Sequence, residues 1–217
     1  QQMPAALVGG VGADRWGSWL RRGLEAEGVE TRWLADLAGA DTPVALVEFD
    51  PDNEPAFQVY GEHIGPTMAA TSSFLEEAIA GSQALVVGSN TMVGETERVV
   101  TRRAIELARA SGRPVLLDPN YRPGRWAEEE TARGFCREMI GLSGVVKMNR
   151  LEAELVTGLG EPREAARTLA GMGPELVVVT GGTEVIVTAG AVEAEHQPET
   201  GETVSPLGAG DAFMGAL

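Results

Sequence analysis

Cysteine and histidine are nearly missing from this chain, and that removes two kinds of site at once. A single cysteine, Cys136, excludes an internal disulfide, and His63 and His196 each lack a second histidine or cysteine nearby, which argues against zinc. Cys136 lies beside Phe135 and Met139 in a helical-looking stretch, where a small buried hydrophobe with no chemistry is expected. No apolar run approaches the ~18 residues of a membrane span, and Gln1-Gln2-Met3-Pro4 opens without a basic n-region or cleavage-like segment. A soluble, cytoplasmic protein is expected. Positive charge is scarce: 17 Lys and Arg against 32 Asp and Glu leave a formal charge of −15, with no basic cluster to release counterions. Nucleic acid and anionic membrane are therefore not expected as partners, although a nucleotide held by backbone donors is still allowed. No G-x-x-x-x-G-K-[ST] loop, protein-kinase signature or G-x-S-x-G elbow occurs, so any phosphate needs another cradle and hydrolase readings weaken. Internal repeats and low-complexity segments are also missing.

What is present is a regular alternation. At 217 residues and 43% hydrophobic, the chain can bury the core of one large α/β domain. Continuous β-branched runs at Ala5 to Val8, Ala84 to Val87, Val115 to Leu117, Val145 to Lys147 and Leu176 to Val179 predict buried strands. Helical spacing predicts helices over Asp14 to Glu27, Ser72 to Ala80, Glu95 to Ala110, Glu128 to Ile140, Arg150 to Leu159 and Arg163 to Met172. Strand and helix in turn imply a mostly parallel sheet with helices on both faces, whose ligands sit at the carboxyl ends of the strands. One segment breaks the rhythm. Pro43 to Phe49 and Ala56 to Tyr60 are strand-like around Asp50-Pro51-Asp52-Asn53-Glu54-Pro55, a turn-rich tip. The expectation is a single domain over residues 1–217 with a hairpin inserted at about 43–62, either covering a cleft as a lid or serving only in packing.

Chemistry-bearing residues gather where strands end. Gly9-Gly10-Val11-Gly12-Ala13-Asp14 suggests a dinucleotide fingerprint, but Arg15 stands where the third glycine belongs, and a turn entering a helix is sufficient explanation. A dinucleotide-dependent oxidoreductase is thus a distant reading. Asp118-Pro119-Asn120-Tyr121-Arg122 places an acid, an amide and an arginine on a proline-stiffened loop, suited to a polar ligand or to an ordinary surface. In Lys147-Met148-Asn149-Arg150-Leu151-Glu152, Asn149 and Glu152 have the spacing of a capping box, and the same pair could order phosphate oxygens or the water shell of a hard cation. Thr180-Gly181-Gly182-Thr183-Glu184 serves equally as a tight hairpin or as a bare backbone admitting a nucleotide. Near the end, Ser205-Pro206-Leu207-Gly208-Ala209-Gly210-Asp211 puts an acid just after a small-residue turn where a helix begins. Such a turn aims several N–H groups at one spot and can hold an anion. A carboxylate beside that anion makes sense as a base taking a proton from an incoming hydroxyl, which suggests phosphoryl transfer to an alcohol. Helix capping by Asp211 is the plain alternative.

Taken in order, Asp118-Pro-Asn120-Tyr-Arg122, Asn149-x-x-Glu152, Thr180-Gly-Gly182 and Gly208-Ala-Gly210-Asp211 resemble the ribokinase-like, or PfkB-type, carbohydrate kinases, with the loop closest in style to fructokinases and 2-keto-3-deoxygluconate kinases. The early segment Ala5 to Gly17 is similar to that family too. The resemblance implies a three-layer α/β/α fold and ATP-dependent phosphorylation of a sugar hydroxyl on a hexose, ketose or keto-sugar acid, with ATP and Mg2+. It implies Asp211 as general base and the amides of Gly208, Ala209 and Gly210 as anion hole. Asn149 and Glu152 would serve magnesium through water or phosphate, and Thr180, Gly182 and Lys147 the nucleotide. Arg122, Asn120, Asp118 and, on the lid hairpin, Tyr60 would serve the sugar. A homodimer through the lid strands is a further implication. The chain departs from the family in having Ser205-Pro206-Leu207 where Asp-Thr-Thr is common and Glu184 near a usual glycine, and it looks cut at both ends. A domain that binds nucleotide or sugar without transferring phosphate is the rival expectation.

Overall fold

The computed structural model describes residues 3–49, 55–60, 64–181, 184–197 and 207–217. The chain divides into two compact units, residues 1–82 with 94–107 and residues 83–93 with 108–217.

In the first unit, β1 (Gly9–Gly12) pairs in parallel with β2 (Leu34–Leu37), and α1 (Arg15–Ala26) connects them. Asp14 caps α1 by accepting the Gly17 N–H at 2.7 Å, and it also accepts the Thr42 N–H at 2.7 Å. Those donors, Gly17 first, hold its carboxyl below the usual range. The first strand lies later than Ala5 to Val8, which contributes one isolated bridge from Ala6 to Glu30. A Cβ on Gly12 would stand 2.3 Å from the Ala40 oxygen, and one on Gly10 would stand 2.8 Å from Thr67 Cβ, so these two positions of the paired stretch have room only for glycine. The Gly9 to Gly12 segment is therefore a strand and not the expected turn. β3 (Val44–Phe49) and β4 (Pro55–Tyr60) form the antiparallel hairpin as separate strands of their own; the tip at Asp50 to Glu54 lies outside the described residues. The helix expected from Ser72 to Ala80 is instead α2 (Ile64–Thr71) followed by α3 (Leu75–Ala80), and α4 (Glu95–Ala110) has the predicted bounds.

The second unit is built on a six-stranded sheet ordered β10-β9-β8-β7-β6-β5, comprising β5 (Leu85–Val87), β6 (Val115–Leu117), β7 (Val145–Asn149), β8 (Leu176–Thr180), β9 (Val185–Ala189) and β10 (Val192–His196). β5 through β8 are mutually parallel, while at one edge β9 runs antiparallel to β8 and β10 antiparallel to β9. α5 (Glu129–Leu142) links β6 to β7, and α6 (Arg150–Thr157) and α7 (Pro162–Ala170) link β7 to β8. The fold is α/β with a mostly parallel sheet, as expected. Val146, Met148, Val177, Val179 and Ile186 are buried in this sheet, with Met139, Ile140 and Leu169 buried on the helices. Gly158, in the left-handed region at φ 78°, stops α6 where any other residue would be strained. β10 was not expected, because Val192-Glu193-Ala194-Glu195-His196 carries alternate acids. Those acids are neutralised from α7: Arg163 pairs with Glu193 and Glu195, and Arg167 Nε reaches Glu193 at 2.7 Å. Cys136 on α5 is buried, and burial pushes its thiol up to about 12, in keeping with an inert role. No described helix is long and apolar enough to cross a membrane.

Candidate active site

Parallel register carries the expected residues to one end of the sheet. Val87 stands beside Leu117, Leu117 beside Val146, and Asn149 beside Thr180, so the ends of four parallel strands deliver Gly88, Asp118, Lys147 to Asn149, and Thr180 in order. One residue beyond that register, Asp118 comes against Lys147. Lys147 Nζ donates to Asp118 Oδ2 at 2.9 Å, with the two side chains 6% and 11% exposed. So deep a pair is costly to form and costlier to break, since either charge left alone would be stranded out of water. Asp118 Oδ1 accepts the Asn120 N–H at 3.2 Å, and Asn120 is in the left-handed region at φ 46°, uncommon for a residue with a side chain.

Glu152 is a second buried acid, 4% exposed. It completes a capping box at the start of α6: Asn149 Oδ1 accepts the Glu152 N–H at 2.9 Å, and Glu152 Oε2 accepts the Asn149 N–H at 2.9 Å. Its other oxygen accepts the Tyr121 N–H at 2.8 Å. Burial pushes the Glu152 carboxyl above the usual carboxylate range; the Asn149 and Tyr121 N–H groups oppose this, Asp118 adds to it, and Lys147 counters it. Thr180 is at the neighbouring strand end, its hydroxyl 3.4 Å from the Met148 oxygen, and Gly181 donates to the Glu184 carbonyl at 2.8 Å across the β8–β9 turn. Gly182 and Thr183 lie outside the described residues, as do Ser205 and Pro206.

The last helix, α8 (Ala209–Ala216), starts from Gly208, whose φ of 76° gives the sharp entry. The N–H groups of the first turn have no helix partner by geometry, and Asp211 lies in that turn, exposed. A Cβ on Gly210 would stand 2.9 Å from Lys147 Nζ and 4.0 Å from Asp118 Oδ2. The turn at the start of α8 therefore rests on a buried ammonium. Sequence reasoning assigned Lys147 and Asp118 to two different ligands and missed that they form one pair under Gly210; their positions at adjacent strand ends were the available signal. Tyr60 belongs to the first unit, half exposed at the end of β4.

For a magnesium ion, the described residues offer no cluster of three or more ligating side chains. Glu152 retains one lone pair on each oxygen, and with Asn149 it forms a hard-oxygen set suited to an ion that keeps its waters and phosphate ligands. The set fits such an ion in that indirect way.

Residues 2–217 match the pfkB family carbohydrate kinase profile. The chain belongs to that family. It is similar to a fructokinase of Vibrio alginolyticus, 28% identical over 220 residues that cover 98% of this chain and 69% of that one. Among solved structures, a PfkB protein from Polaromonas sp. JS666 superposes with a TM-score of 0.86 at 24% identity, covering 98% of this chain and 71% of that one, which establishes the ribokinase-like fold. A fructokinase from Vibrio cholerae O395 in a fructose, ADP and calcium ion bound form superposes with a TM-score of 0.82 at 26% identity over 98% of this chain and 68% of that one. As a pfkB family member the protein is a carbohydrate kinase.

Proposed function

We propose that this carbohydrate kinase transfers the terminal phosphoryl group of ATP to a hydroxyl of a hexose, ketose or keto-sugar acid, with Asp211 as general base. The observation that carries this reading is the start of α8, where a left-handed Gly208 opens a turn whose N–H groups have no partner within the helix, with Asp211 in the same turn and the Lys147 ammonium beneath Gly210. Donors fixed in advance at the point where negative charge develops need no reorganisation during reaction, and a nearby carboxylate is placed to accept the proton lost by the attacking hydroxyl. The amides of Gly208, Ala209 and Gly210 form the anion hole. Thr180, with Gly182, borders the nucleotide, while Asn120 and Arg122 face the sugar. Asn149 and Glu152 would order the water shell of magnesium, and the Asn149 amide could donate to phosphate oxygens; when bound, the ion would neutralise phosphate charge. Asp118 and Lys147 set the charge under the turn. The fructokinase names among the relatives put fructose first among the acceptors to try.

The test is ADP release from magnesium-ATP across sugars, keto-sugar acids and nucleosides, with Asp211→Asn beside the parent. Turnover is expected to fall at least ~100-fold in the variant while ATP affinity holds. Near-normal turnover in Asp211→Asn removes that residue from the mechanism. Ligand binding by the parent without ADP formation favours the binding-only reading, for which Ser205-Pro206-Leu207 before Gly208 is the motivating departure.

A further inference from the structure

A capping box needs one oxygen of its acid, and Glu152 uses two. Oε2 accepts the Asn149 N–H within the box, but Oε1 accepts the Tyr121 N–H from a loop 31 residues away in sequence. Helix capping does not account for that second bond. Its position does: Tyr121 follows Asn120, the left-handed residue, and precedes Arg122, which enters the short 3₁₀ turn Pro123–Arg125. The loop is thus held at two successive N–H groups, Asn120 by Asp118 Oδ1 and Tyr121 by Glu152 Oε1. An uncommon backbone conformation persists only when its surroundings over-determine it. Two buried carboxylates supply that here, and the stretch they pin carries both Asn120 and Arg122.

We infer that Glu152 is a positioning residue for the sugar-binding loop: its Oε1 latches Tyr121 so that Asn120 and Arg122 meet the acceptor, while its Oε2 holds the start of α6. This rests on the proposed function, in which Asn120 and Arg122 contact the sugar and Asn149 with Glu152 serves the phosphate side. One carboxylate then ties the two sides together, and loosening it on the loop side alone weakens acceptor binding.

Glu152→Asp separates the roles. It keeps the negative charge and can still reach the Asn149 N–H, but it is one methylene too short to span both donors. Glu152→Gln keeps the length but has one accepting oxygen for two N–H groups. In the parent and both variants, two quantities are measured: amide hydrogen exchange at Tyr121 and Arg122, and kcat and KM for the sugar together with the magnesium concentration for half-activity. Glu152→Asp is expected to speed exchange at Tyr121 about tenfold or more and to raise the sugar KM by a similar factor, the scale of one lost hydrogen bond to a charged group. Unchanged exchange at Tyr121 in Glu152→Asp overturns the latch. An unchanged sugar KM with a shifted magnesium requirement also overturns it and leaves Glu152 on the phosphate side alone. A parent that turns over no acceptor overturns the proposed function, a failure distinct from that of an active parent whose variants keep the sugar KM.

Discussion

Replacing Lys147 by Met strands the Asp118 carboxylate, 11% exposed, which keeps the Asn120 N–H as a hydrogen-bond partner. At 2.9 Å the attraction removed is about 6 kcal/mol for an effective dielectric near 20. The desolvation cost of Lys147 is removed with it, so the net loss expected is the ~3–5 kcal/mol found when one partner of a buried pair is deleted. For a chain of this size that lowers the melting temperature by roughly 6–20 °C. Asp118→Asn should cost a similar amount, because it leaves the ammonium alone beneath Gly210. The double variant removes both charges, and the Asn oxygen can still accept the Asn120 N–H, so it should recover at least half of the loss. Guanidinium unfolding of the parent, both singles and the double gives the coupling energy directly, expected at about 2 kcal/mol or more. Singles that each cost less than about 1 kcal/mol, or a double whose loss is the plain sum, would refute the account of a buried, mutually dependent pair.

Gly210→Ala puts a methyl 2.9 Å from the Lys147 ammonium, which the ion pair prevents from swinging clear. The start of α8 must shift, and a turnover loss on the order of 100-fold with retained fold is expected from single-turnover kinetics; parent-like turnover would show that the turn yields cheaply. Gly17→Ala places a methyl 2.2 Å from the Gly12 carbonyl oxygen, where α1 crosses β1. Overpacking there should cost about 1–3 kcal/mol in thermal unfolding, with Gly23→Ala, which meets nothing nearby, as the control. Glu193 is held below its ordinary value of 4.5 first by the Arg167 hydrogen bond and then by Arg163. Its contribution to stability is complete above the ordinary carboxylate range and is lost as pH falls from 4.5 through the lower folded value. Glu193→Gln should therefore flatten the acid limb of a melting-temperature profile without changing its slope near pH 7; an unaltered acid limb counts against the ladder between α7 and β10.

Much of the fold was legible from local pattern. Val115 to Leu117 and Glu95 to Ala110 have the expected bounds, and Asn149 with Glu152 forms the box that their spacing requires. Such features depend on residues within one or two turns of each other. The first strand was misplaced because Ala5 to Val8 is the more apolar run, whereas the pairing uses Gly9–Gly12, the stretch that tolerates Ala40 and Thr67 at close range. β10 was hidden because its acids are compensated by arginines about 30 residues earlier in the chain.

The sequence by itself determined the alternation of strand and helix, the caps that start and stop them, and the family, because hydrophobic period, capping and motif order are all written locally. Only the tertiary structure decided that Asp118 binds Lys147 across 29 residues, that Glu152 holds Tyr121 across 31, and that Gly210 rests on the ammonium. A buried strand shows in its composition that it is covered, but which strand lies beside it, and in what register, follows from packing the whole sheet.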